Sequence, residues 1–184
     1  MADKWYVRDL LHRSRQAFDN PPLHLAKTTT PSIRTLFASG AEWMREALGA
    51  IRGRPLPGSH FSFNGLGFAK YGLAAAGALA CVIWALTWET FWPCLFIVPV
   101  FYALEAQFVF LFPLTLDGSS TPIRDSWRLT RRAGGTVAVM AIVLPLAAVM
   151  LFGGFLGKGF VRSWCLGCLS ICYWYEDLQA QGEP

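Results

Sequence analysis

Charge is what this chain has least of. Only 15% of its 184 residues are Asp, Glu, Lys or Arg, against about 25% in an ordinary soluble domain. The deficit is concentrated. Tyr71 to Leu116 holds two charges, Glu89 and Glu105, and Ala133 to Gly157 holds none. Such stretches cannot stand in water without a large sheath, so the expectation is an all-α, polytopic membrane protein. No secretory signal is expected either, because "MADKWYVRDLLHRSR" sets acids and bases where an apolar core would stand. The start is therefore expected to stay on the side of synthesis. Histidine is scarce: His12, His24 and His60 all precede the apolar segments. That argues against zinc or a bis-imidazole haem within the spans. No Walker-type glycine loop, carboxylate dyad or nucleophile–base pair can be assembled. We therefore expect no enzymatic activity, no cofactor and no metal.

What is present divides at about residue 66. Residues 1–66 form an expected cytoplasmic or interfacial region with two amphipathic helices. The first carries Val7, Leu10, Leu11 and Phe18 on one stripe. The second is expected to begin at Thr30-Pro31, an N-cap followed by proline. Its stripe is Ile33, Leu36, Phe37, Met44, Leu48 and Ile51, and it ends near Gly53. The segment "GRPLPGSHFSFNGLG" holds too much proline and glycine for helix or strand. Residues 67–184 are expected to form four transmembrane helices, at about 68–88, 91–112, 136–156 and 160–175. Tyr71 to Trp88 is 18 uncharged residues, enough for a layer of roughly 30 Å at about 1.5 Å per residue. The last uncharged run, Ser163 to Tyr175, is only 13 residues, and is read as a short span. Between the second and third, residues 122–133 are expected to form an interfacial helix.

Orientation follows from basic residues. With four spans, residues 1–66 carry nine Lys and Arg, the 113–133 loop four, and the opposite turns only Lys158 and Arg162. That asymmetry predicts both termini inside. Trp88, Trp92 and Trp164 then fall at the outer boundary, Trp127 and Trp174 at the inner one. A bacterial inner (cytoplasmic) membrane is the expected location, ahead of an organellar inner membrane.

The loop "RDSWRLTRRAGG" between apolar helices, and the closing "YWYEDLQAQGEP", resemble a broad bacterial superfamily of integral membrane proteins. It includes the membrane domain of glycerophosphodiester phosphodiesterases. Members show an arginine-rich R-x-S-W-x-L helix, matched by Arg124, Ser126, Trp127 and Leu129. Their last span closes on Y-x-D-L, matched by Tyr175, Asp177 and Leu178. The likeness covers about residues 68–182 and implies topology alone. The usual arginines after the last span are missing, four spans stand where about six are common, and no phosphodiesterase domain is fused.

Several residues are candidates for a role. Glu105 lies deep in the second span, where a lone acid costs about 2.5 kcal/mol or more unless protonated or paired. It is either a relay or headgroup-binding acid with Gln107 nearby, or a structural partner of Lys70 at the same level. Arg124, Arg128, Arg131 and Arg132 can reach lipid phosphates. Gly72, Ala76 and Ala80 give a smooth helix-packing face. Cys165, Cys168 and Cys172 recur at i, i+3, i+7. Packing is preferred for them over metal or redox chemistry, since buried cysteine behaves as a small apolar group. Cys94 and Cys165 fall at similar depth, which leaves a disulfide open. Pro99 and Pro145 interrupt spans. Residues 1–66 carry a net charge of +4 with acids interleaved, which fits anionic lipid better than nucleic acid.

The expected function is that of a non-catalytic accessory or scaffold subunit in a larger membrane complex, of the kind respiratory and photosynthetic assemblies contain. Its partners are membrane lipids and other membrane-protein subunits, with no nucleic acid. The alternative is a small lipid- or ion-handling protein using Glu105 and the arginine loop.

Overall fold

The computed structural model describes residues 4–19, 36–56, 62–155 and 159–181, and these are helical with short connections. Helix α1 spans Lys4–Asp19 and α2 spans Leu36–Arg52. The expected start of the second helix at Thr30-Pro31 lies outside the described residues, as do His24, His60 and Lys158. Helix α3 runs Phe63–Thr87, beginning five residues before the expected start. Its cap is Ser62, which accepts from the Gly65 amide at 3.3 Å. The reading of residues 63–67 as too glycine-rich for helix is thus corrected. A Cβ on Gly67 would lie 2.3 Å from the Phe37 ring, so this glycine serves a close approach rather than a break.

After a turn in which Glu89 adopts φ +48°, a 3-10 turn (Trp92–Phe96) leads into α4 (Ile97–Gln107) and α5 (Leu111–Leu116). The second apolar segment is therefore interrupted near Phe108–Phe110, not continuous as expected. Pro113 explains the break. It has no N–H to offer, and its ring crowds the carbonyl four residues earlier, at Val109. Pro99, by contrast, falls in the first turn of α4, where its missing N–H costs nothing. Helix α6 is Pro122–Arg132. Gly134 and Gly135, at φ +100° and +83°, turn the chain into α7 (Gly135–Phe152). Pro145 lies inside α7, and α8 is Phe160–Ala180.

Among the described residues, three segments are long and apolar enough to cross a membrane: Phe63–Thr87, Trp92–Leu116 and Gly135–Phe152. The chain is thus an all-helical protein with the character of a membrane protein. Helix α8 is not among the three, although it is 21 residues long. It carries Ser163, Ser170, Glu176 and Asp177, and it is the centre of the molecule. Leu169, Ser170, Cys172 and Tyr175 are all fully buried. Helix α7 lies antiparallel to it: a Cβ on Gly167 would sit 2.2 Å from Met150, and Gly153 approaches Ser163.

The N-terminal helices belong to the same core. Val7, Leu10, Met44 and Leu48 are buried in one cluster with Val139, Leu146, Trp174 and Leu178. Val7 and Leu10 of the first stripe, and Met44 and Leu48 of the second, are therefore covered by the chain itself. Trp174 is 2% exposed and meets Phe110 edge-on at 4.9 Å, so it is a core residue instead of an interfacial one. Trp88, Trp92, Trp127 and Trp164 are exposed.

Candidate functional site

Three clusters of polar groups among the described residues bear on function. The first lies within the apolar helices. The Lys70 ammonium of α3 is 3.5 Å from the Glu105 carboxylate of α4, with side chains 5% and 16% exposed. It also lies 5.0 Å from the Tyr71 ring centroid and 5.9 Å from that of Phe112. Phe37 stacks on both rings, at 5.5 and 6.4 Å, so α2 closes the site from one end. A buried ion pair gains little over an apolar pair, but removing one partner strands a charge. The arrangement answers the demand that Glu105 creates. Gln107, two residues on, does not join it. Its amide donates to Thr136 at 2.6 Å.

The second place is the break in the second segment. There Ser126 donates to the Gln107 carbonyl at 2.9 Å, and Thr130 to the Ala106 carbonyl at 3.0 Å. These carbonyls lose helical partners where the helix stops, and α6 supplies replacements. Both hydroxyls are buried. The outer face of α6 carries Ile123 and Trp127, 54% and 49% exposed. By the 100° helical step, Arg131, Arg124, Arg128 and Arg132 follow round from that apolar edge, and all four are exposed. Arg131 stacks on Trp127 at 4.0 Å and Arg128 lies 3.4 Å from Asp125. Hydrogen bonds, first from Ser119 and then from Thr121, hold the half-buried Asp125 carboxyl below its usual range.

The third place was not anticipated from sequence. Arg13 of α1 grips Asp177 of α8 through two bonds of 3.0 and 2.7 Å, and Tyr6 donates to the same carboxylate at 3.0 Å. Arg52 of α2 bonds Glu176 at 3.0 and 2.6 Å and also clamps Asp117, which accepts from Tyr175 as well. The hydrogen bonds to Asp177 and to Asp117 raise the two guanidinium pKa values further above an already high norm. A signal was present. Two acids near the C-terminal end of a helix oppose its dipole, and that local disadvantage marks the need for outside cations. Those cations come from 164 and 124 residues away, which no local pattern reveals.

The remaining candidates separate. Gly72, Ala76 and Ala80 are exposed. The face α3 turns inward is instead Gly67, Lys70, Ala74, Cys81 and Ala85. Cys165 and Cys172 are buried and Cys168 half-buried, on a helix whose Gly167 admits Met150. Cys94 is exposed, and it and Cys165 are both free thiols. No family model, curated protein or solved structure matches the chain.

Proposed function

We propose that the chain is a non-catalytic accessory or scaffold subunit of a larger membrane complex, with four spans and both termini on the basic side. The observation that carries this reading is on α3. Its inward face is already used by α4, while a second smooth face, Gly72–Ala76–Ala80, is turned outward and uncovered. Small residues at four-residue spacing let a neighbouring helix approach closely. The fourth span would be α8, enclosed by its own chain. Tyr6 at the start of α1 touches Asp177 at the end of α8, which supports a shared side for both termini. Asp19 at the other end of α1 meets Arg162 at the start of α8, so on this reading α1 runs to the opposite side instead of staying with the rest of residues 1–66. Gentle detergent extraction followed by mass spectrometry tests the reading. A stoichiometric membrane partner is expected, and recovery as a lone monomer would overturn it.

The exposed Ile123–Trp127 edge beside four arginines favours a second reading, contact with anionic lipid heads at the interface. On the lipid-handling alternative, Glu105→Gln would abolish lipid or ion binding while leaving assembly intact. The Lys70 pairing argues for a structural role, in which that substitution weakens the fold and moves no ligand.

A further inference from the structure

One flank of the molecule is polar at a depth where hydrocarbon is expected. Helix α1 lies antiparallel along the whole of α8. Tyr6 meets Asp177, the Ser14 and Ser170 hydroxyls are 2.9 Å apart, and Asp19 meets Arg162 at 2.5 Å. Helix α8 in turn lies antiparallel along α7, from Ser163 beside Gly153 to Leu178 in the cluster with Val139. By these pairings Arg8 stands at about the level of Ala141, His12 of Pro145 and Arg15 of Ala148. Those are interior positions of the apolar Gly135–Phe152 segment, at about 1.5 Å per residue. Yet Arg8, Asp9, His12, Arg15, Gln16 and Asp19 are all exposed.

Their charges are unequally balanced. Asp9 is bound to Arg13 at 2.9 Å, and Asp19 to Arg162. Arg8 and Arg15 have no ion-pair partner among the described residues. Seven residues apart, they share one face, two turns or about 10 Å from one another. With α8 as a span, two guanidiniums without an ion-pair partner among the described residues stand at mid-span depth, too costly to leave in hydrocarbon.

We propose that this face of α1 docks a transmembrane helix of another protein that presents two carboxylates about two turns apart. The proposal rests on the accessory-subunit reading and gives its partner a chemistry. A second copy of the chain does not fit. Copies inserted the same way are related by an axis along the membrane normal, which sets α1 parallel to α1 and brings Arg8 to Arg8 and Arg15 to Arg15.

The test uses the full chain in its native membrane, extracted in mild detergent. Arg8→Gln/Arg15→Gln is expected to lower partner recovery at least tenfold. Arg8→Lys/Arg15→Lys is expected to retain it, and so is Arg124→Gln on α6. A photo-crosslinker at position 12 is expected to capture a partner peptide bearing Asp or Glu. Unchanged recovery with the Gln pair overturns this interface while leaving the accessory reading intact. Absence of any partner from the unaltered chain overturns both. A crosslink to lipid, or to a second copy, overturns the interface. So does ready modification of His12→Cys, in a Cys94→Ser background, by a membrane-impermeant maleimide in intact membranes, because water would then cover the face.

Discussion

The α3–α4 hairpin and the α1–α8 pair are built for different surroundings. In α3 only 22% of the most apolar window is buried inside the chain, and Leu73, Leu79, Ile83, Trp84 and Leu86 all point outward. In α8, 10 of 21 residues are buried, with serines, cysteines and a glycine among them. A helix wrapped by its own chain meets packing demands from every side, so it can carry small and polar residues wherever a neighbour answers them. A helix with an open flank must be apolar on that flank. Hydropathy therefore finds α3, the second segment and α7, and passes over the helix that holds the molecule together.

The contrast can be broken at its most costly point, the Lys70–Glu105 pair between α3 and α4. Lys70→Met leaves Glu105 buried beside Tyr71 and Phe112 and should destabilise by about 3 kcal/mol, read as a lower Tm in detergent. The double variant Lys70→Met/Glu105→Leu should recover most of that loss, since an apolar pair replaces a charged one. A double variant as unstable as the single would show that the pair does more than neutralise itself.

The α8 side should respond to its clamps. Arg52→Ala leaves Asp117 and Glu176 facing each other without a cation. Because the pair is partly screened by water, about 2 kcal/mol of destabilisation is expected rather than the full cost of a buried pair. Protease sensitivity of α2 should rise with it. Thr130→Ala removes a donor from the Ala106 carbonyl at the broken span and should cost about 1 kcal/mol, with faster exchange of amides in α5. The smallest effect belongs to Asp125, at the start of α6. Its folded pKa lies below the usual 3.8, so its contribution is present above that value and disappears as pH falls through the lower folded value. Asp125→Asn should flatten that part of an acid titration of α6, followed by amide chemical shifts.

Sequence reasoning reached what periodicity and charge can encode. The approximate positions of α3, α6, α7 and α8 follow from apolar runs and from the arginine-rich stretch between the second and third of them. Counting residues sets Lys70 and Glu105 at one level. What it could not reach was non-local. Ser126 and Thr130 look like ordinary polar members of an arginine-rich helix until the interruption at Phe108–Phe110 is seen to leave the Ala106 and Gln107 carbonyls for them to bind. The stripes of α1 and α2 announce a covering surface without saying whose. Arg13, Arg52, Glu176 and Asp177 supply that answer, through contacts spanning most of the chain.

The enclosure of α8 by α1 is tested most directly at Ser14 and Ser170, both fully buried, whose hydroxyls lie 2.9 Å apart. Ser14→Cys/Ser170→Cys, in a chain with its own cysteines replaced, should form an intramolecular disulfide to near completion under mild oxidation in the membrane. Failure to crosslink, with both introduced thiols open to modification, would contradict it.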